Sequence, residues 1–330
     1  MATSPWVWAA FVAFVLGLIA LDLGVLHRKA KAVSIAQAAW SSAAYIALAM
    51  VFAAGVFHFR SAEDGWAFVT GFLIEKSLSI DNIFVFVLIF GHFAVPAELQ
   101  HRVLLWGVLG ALAMRAVLIF AGVGLIAEFH WLVYLFGGFL IVTGIKMLLA
   151  ADAEPDLANN RIIGFLRRRL RVTETYEGER FFLRRNGVLF ATPLFLALVV
   201  IEASDLVFAV DSIPAILAVS QDPFIVFTAN VFAILGLRAL YFVLAGVIHR
   251  FHYLKYALAL ILVLVGVKML VNGYFGGKTI PTEYALIATA ALVFGSIALS
   301  WFRKAEAPAA LPTGWVVGSP AKGEEAEHGR

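Results

Sequence analysis

Apolar residues run along this chain in stretches of about twenty, interrupted by short polar breaks. The runs fall at nine places: 6–26, 36–58, 67–91, 103–127, 131–149, 189–219, 222–248, 252–271 and 284–302. A helix of about twenty residues reaches across the hydrocarbon layer of a bilayer. The pattern therefore predicts an all-α polytopic membrane bundle of about nine transmembrane helices. Two of the runs are polar inside. "FLIEKSLSIDNIFVF" (72–86) carries Glu75, Lys76, Ser77, Ser79, Asp81 and Asn82, and "VIEASDLVFAVDSIPAIL" (200–217) carries Glu202, Asp205, Asp211 and Ser212.

Composition agrees with a bilayer as solvent. Of 330 residues, 62% are hydrophobic and 14% charged, with a mean hydropathy of +0.92, which leaves too little charge to cover a water-soluble protein. The net charge of +3 says little about partners, but its placement does. Arg28, Lys29 and Lys31 follow span 1, Arg102 follows span 3, and Arg161, Arg167, Arg168, Arg169, Arg171, Arg180, Arg184 and Arg185 follow span 5. Arg250 and Lys255 flank the turn after span 7, Arg303 and Lys304 follow span 9, and the opposite loops hold little beyond Arg60 and Lys278. The positive-inside rule then places the N-terminus outside and the C-terminus in the cytoplasm.

The opening "MATSPWVWAAFVAF" lacks a basic n-region and a small-residue cleavage site, so span 1 is expected to be retained. With no cysteine, disulfides, thiolate ligands and thiol nucleophiles are all excluded. In the loop after span 5, "RIIGFLRRRLRV" (161–172) sets Ile162, Ile163, Phe165, Leu166 and Leu170 beside an arginine face. This predicts an interfacial helix on anionic lipid. Nucleic acid is the weaker partner, because the basic run is short and adjoins membrane.

An internal repeat organises the rest. "MRAVLIFAGVGLIAEFHWLVYLFGGFLIVTGIKML" (114–148) aligns with "LRALYFVLAGVIHRFHYLKYALALILVLVGVKML" (237–270), with Arg115 on Arg238 and "GIKML" on "GVKML". Upstream, Glu75 and Asp81 have the same six-residue spacing as Asp205 and Asp211, and Asn82 matches Ser212. Three spans per copy turn the second copy upside down, the inverted-topology plan of many secondary transporters. The expected divisions are a two-helix segment (1–66), repeat 1 (67–149), a basic cytoplasmic loop (150–188), inverted repeat 2 (189–271), an outer loop with the last span (272–304), and a disordered tail (305–330) rich in Ala, Pro, Gly and Glu.

The acidic motifs are the candidate chemistry. An isolated ionised side chain at mid-bilayer costs about 2.5–3.5 kcal/mol on insertion scales, so Glu75, Asp81, Glu202, Asp205 and Asp211 must face protein, water or a cation. At about 100° per residue, Glu75, Ser79 and Asn82 share one stripe, as do Asp205 and Ser212, whereas Asp81 and Asp211 lie off those stripes. Either the helices break near the acids, with Pro214 favouring a break in span 6, or the two aspartates face another neighbour. Arg115 and Arg238 are the expected charge-balancing partners, and Asp81 and Asp211 either pair with them or bind metal. Five carboxylates against two mid-span arginines leave excess negative charge. Lys76 is available to take one, while Lys146 and Lys268, near span ends, are expected to snorkel outward.

Oxygen donors suit hard ions such as Mn²⁺, Mg²⁺ and Ca²⁺. His27, His92, His101, His130, His249 and His252 fall at span ends and are expected to be boundary residues, and Asp22 a cap or lysine partner.

"LDLGVLHRKAKAVS", "FLIEKSLSIDNIFVF", "FAVPAELQHRVLLWGVLGALAMRA", "YLFGGFLIVTGIKML" and "FFLRRNGVLFATPLFLALVVIEASDLVFAVDSIPAIL" resemble the TerC family, in its Alx-like branch, over about residues 20 to 272. The resemblance implies a bacterial inner-membrane protein of metal-ion homeostasis, built on inverted three-helix repeats, with manganese export as its activity. It carries over Glu75, Asp81, Glu202, Asp205 and Asp211, with Asn82 inside the first motif. Taken with the stripes, the expected metal ligands are Glu75, Asp81, Asn82, Glu202, Asp205, Asp211 and Ser212. No GxxxxGK[ST] nucleotide motif is present, so proton antiport is the expected drive, with Mn²⁺ as transported ion and no tightly bound cofactor. The alternatives are another hard divalent cation, an amino acid, or a non-transporting scaffold working through loop 150–188. An enzymatic role is not expected, since no nucleophile–base pair accompanies the acids.

Overall fold

The computed structural model describes residues 3–21, 34–149, 164–165, 169–173, 175–185, 187–245, 253–275 and 279–302. Asp22, His27, His249, His252, half of the basic stretch 161–172, the tail, and the side chains of Asp81 and Asp211 lie outside the described residues.

The described chain is helical apart from one hairpin. In order, it forms α1 (Pro5–Leu21), α2 (Ile35–Phe59), α3 (Ala62–His92), α4 (Ala97–Glu128), α5 (Leu132–Leu149), β1 (Phe182–Arg185), β2 (Val188–Ala191), α6 (Pro193–Leu217), α7 (Pro223–Leu235), α8 (Leu237–Leu244), α9 (Leu254–Tyr274) and α10 (Thr282–Phe302). Polar residues set the helix starts by accepting from orphan backbone N–H groups. Ser34 accepts from Gln37 N, Ser61 from Asp64 N, and Asp222 from Phe224 N and Ile225 N. Pro193 and Pro223 occupy first turns, where a missing N–H costs nothing.

Among the described residues, α2, α4, α5, α6, α9 and α10 are long and apolar enough to cross a bilayer, and α7 with α8, bent by 40° at Gly236, would add a seventh span. α1 is apolar but has 17 residues. α3 spans 31 residues and falls short by composition alone, because its central acids and lysine interrupt it.

Contacts between connections sort the helix ends onto two sides. Arg60, after α2, bonds Asp64 at 3.1 Å, Asp222 before α7 at 2.6 Å, and Thr3 before α1 at 3.2 Å. Tyr134, beginning α5, donates to Gly273 O at the end of α9, 3.0 Å away. On the other side, the α3–α4 turn meets the segment before the hairpin. Tyr176 donates to Phe93 O at 2.6 Å, and Arg102 bonds Glu179 at 2.7 Å. Burial pushes the Tyr176 phenol up to about 12, so its hydroxyl remains a donor at neutral pH. Tyr253, before α9, bonds Ser300 near the end of α10.

The helices pack in matched pairs: α3 on α7, α4 on α6, α3 on α6, and α5 closely on α9. The last crossing depends on glycine. A Cβ on Gly137 would lie 3.1 Å from Gly266 O, one on Gly266 2.7 Å from Gly137 O, and one on Gly144 2.6 Å from Ala259 O.

Three expectations need correction. α3 and α6 run unbroken past their acids, and Pro214 sits in the last turn of α6, where its missing N–H forfeits a single bond. The break in the described helices comes instead at Gly236. Residues 182–191, split by sequence between a basic loop and span 6, form an antiparallel hairpin that turns at Gly187 with φ +78°, and the helix begins at Pro193. Lys268 does not snorkel. It is 2% exposed, because α9 continues to Tyr274, whereas Lys146 is exposed as expected.

The cysteine-free chain allows clean single-cysteine labelling. Glu98→Cys and Arg180→Cys should react with an impermeant maleimide from one side of the membrane, Phe59→Cys and Phe129→Cys from the other. A split within either pair would contradict the arrangement of helix ends.

Candidate functional site

The polar residues of α3 and α6 meet at one side chain of α4. Arg115 is 1% exposed. Its Nε donates to Asp205 Oδ2 at 3.2 Å and its Nη2 to Asp205 Oδ1 at 3.1 Å, the two-point geometry that suits a carboxylate. Its Nη1 donates to Glu75 Oε1 and, at 3.3 Å, to Ser212 Oγ. Asn82 closes the group by donating Nδ2 to Asp205 Oδ1 at 3.0 Å. Glu75, Asn82, Asp205 and Ser212 are all buried to within 2%. The two stripes read from helical periodicity therefore face each other across Arg115.

Charge is not balanced within this group, in which two carboxylates face one guanidinium. Two buried acceptor oxygens, Glu75 Oε2 and Asn82 Oδ1, have no hydrogen-bond partner among the described residues. Unmatched buried oxygens of this kind call for a donor or a cation. Ser79, on the same stripe, is occupied locally, since its hydroxyl donates to Glu75 O at 2.8 Å, as that of Ser77 does to Leu73 O at 2.6 Å.

The other expected site residues are placed differently. Glu202 is partly buried and near enough to Asp205 to feel its charge, but its carboxylate lies against Gly110 of α4, about where a Cβ there would be. Arg115 takes Glu75 and Asp205 as partners, and pairing of Asp81 and Asp211 with the arginines falls on side chains outside the described residues. Arg238 is buried on α8 and interacts there. Among the described residues, no three of His, Asp and Glu come together to hold a metal ion. His58, His92 and His130 are exposed. Sequence reasoning missed two further contacts: Gly110 against Glu202, and Lys76 turned into α7, where Nζ donates to Ala233 O at 3.2 Å. Glycine inside an apolar run is the one sequence sign of such close approaches.

Arg115 thus holds three helices by charge. Arg115→Met should lower stability by about 3–5 kcal/mol, the cost of stranding a buried carboxylate. Adding Glu75→Gln and Asp205→Asn to Arg115→Met should recover most of that loss. Thermal unfolding of the purified variants checks this, and no recovery would show that the acids do not depend on Arg115.

Comparison with known proteins gives a consistent family. The profile described as "Integral membrane protein TerC family" matches residues 60–307. An uncharacterized membrane protein of Myxococcus xanthus is 51% identical over 305 residues, covering 92% of this chain and 95% of its own. A protein of Escherichia coli K12, provisionally named as the membrane-bound redox modulator Alx, is 46% identical over 307 residues, 90% of this chain and 94% of its own. An uncharacterized membrane protein of Rickettsia bellii is 43% identical over 297 residues, 90% of this chain and 97% of its own. No solved structure matches. On the profile match and these full-length likenesses, the chain belongs to the TerC family of integral membrane proteins.

Proposed function

We propose that this protein exports a hard divalent cation, Mn²⁺ foremost, from the cytoplasm across a bacterial inner membrane in exchange for protons. The observation that carries this reading is the unbalanced cluster: Glu75 and Asp205 share Arg115, leaving one net negative charge and two unfilled oxygens in a buried site. An uncompensated buried charge costs several kcal/mol, so the cluster calls for one further positive charge. A proton supplies it in one state. A divalent metal supplies it in another, once the guanidinium yields a carboxylate oxygen and a further carboxylate, Asp81 or Asp211, takes up the metal's second charge. The donors are carboxylate, amide and hydroxyl oxygens, which suit Mn²⁺, Ca²⁺ and Mg²⁺ rather than softer ions.

The wider charge count fits the same reading. Counting Lys76 and the buried Lys268 with Arg115 and Arg238, four cations offset the five acids of the two motifs, Glu75, Asp81, Glu202, Asp205 and Asp211. The excess is a single charge, smaller than the arginines alone suggested. Asp81 and Asp211, six residues beyond Glu75 and Asp205, are the proposed further ligands, with Glu202 a turn before Asp205. Nine crossings result if α1 and α3 also span, and an inverted repeat is supported by the packing, since exchanging the halves carries α3 on α7 into α6 on α4. It also carries the Gly266–Gly137 contact into Gly144–Ala259. The arginine-rich segment between the halves supports a cytoplasmic C-terminus. The relative's redox name cannot come here through thiol exchange, because this chain has no cysteine.

Glu75→Gln leaves the doubly bonded Arg115–Asp205 pair intact, so the fold should hold while the excess charge disappears. In proteoliposomes, Mn²⁺ flux per folded molecule should fall to the level of empty vesicles for Glu75→Gln and Asp205→Asn, with a smaller loss for Asn82→Ala and Ser212→Ala. Wild-type flux in both charge variants would reject the site. Ca²⁺ and Mg²⁺ run in parallel set its selectivity. Outward movement of a divalent ion against 100 mV costs about 4.6 kcal/mol, so efflux should stop when the proton gradient and potential are collapsed together. Efflux that continues would rule out the coupling.

A further inference from the structure

Two of the positions at which the halves of the chain differ lie together in space. With Glu75 laid on Asp205, Lys76 falls on Leu206, and with Arg115 laid on Arg238, Gly236 falls on Ala113. These two departures touch. Lys76 Nζ donates to Ala233 O at 3.2 Å and fills the space that a Cβ on Gly236 would take, only 2.8 Å away. In the other half, Leu206 is exposed and α4 runs straight through Ala113. The bend of 40° between α7 and α8 occurs at Gly236, where the lysine arrives.

Electrostatics explains why the lysine and the break belong together. The last four carbonyls of a helix have no intrahelical donor and carry the negative end of its dipole. Within a bilayer there is no bulk water to satisfy them. α7 ends at Leu235, so Ala233 O is one of these carbonyls. An ammonium brings three donors and a full positive charge, and the missing side chain of Gly236 lets it reach the backbone. The neighbouring carboxylate does not account for its position, because Glu75 Oε1 is bonded to Arg115.

We infer that the C-terminal end of α7 is a main-chain carbonyl site for a monovalent cation, which this chain fills with the ammonium of its own Lys76. The site is distinct from the Glu75–Arg115–Asp205 cluster and does not depend on what the protein transports.

The test uses the full-length protein purified in detergent. Lys76→Ala removes Cγ through Nζ, the atoms that n-propylammonium restores. Its melting temperature should lie below that of the wild type, and n-propylammonium chloride should recover at least half the difference, while N-methylglucamine chloride at equal ionic strength recovers none. The wild type should respond alike to both salts. Identical responses of Lys76→Ala to the two salts would overturn the inference. A second comparison decides if that variant does not accumulate. Gly236→Ala should destabilise the wild-type background, where its methyl displaces the ammonium, but cost little beside Lys76→Leu, which recreates the Leu206 and Ala113 combination. The new methyl would also lie 3.3 Å from Tyr45 Cβ, a contact common to both backgrounds that cancels in the comparison. Equal loss in both backgrounds would overturn the inference. Absence of manganese flux would leave either result unchanged, since both are read as stability.

Discussion

A single guanidinium makes the centre of this bundle possible. Arg115 brings donors in a rigid fork, and the structure spends them on both acidic helices at once: Asp205 and Ser212 from α6, and Glu75 from α3. Without it, each half of the chain would hold a carboxylate at a depth where charge is costly. With it, the polarity that makes α3 a poor membrane helix by composition becomes the contact that joins α3, α4 and α6. Stability and the proposed chemistry draw on the same atoms, and one cation is set against two acids.

The surrounding fold serves that arrangement. α3 packs on α7 and α4 on α6, and α5 and α9 cross through glycines that let their backbones approach. Clamps outside the apolar region set the helix ends: Arg60 among Asp64, Asp222 and Thr3 on one side, Tyr176 and Arg102 on the other. The centre is left to the acids, their arginine and one helix break filled by Lys76.

Much of this was legible in the sequence, because helical periodicity fixes which residues share a face. Glu75 with Asn82 and Asp205 with Ser212 were placed on common stripes, and those stripes meet. Periodicity does not give the rotation of one helix against its neighbour, so it leaves open which acids Arg115 meets, and the structure sets it between Glu75 and Asp205. Pro214 is the visible sign of a break but costs little near a helix end, whereas Gly236, where the chain does bend, sits inside an unbroken apolar run. The sequence makes Lys268 look terminal because the apolar run stops before the helix does. The hairpin at 182–191 does leave a sign, the Asn186–Gly187 pair between Phe182–Arg185 and Val188–Ala191, which the density of arginines obscures.

The proposal that the unbalanced cluster is a cation site is tested most directly by binding. Mn²⁺ titrated into the purified full-length protein is followed through the electron paramagnetic resonance signal of the free aqueous ion. The account predicts that the wild type withdraws that signal saturably, and that Glu75→Gln, equally folded, withdraws none. A free-ion signal undiminished by the wild type, or diminished equally by Glu75→Gln, would contradict it.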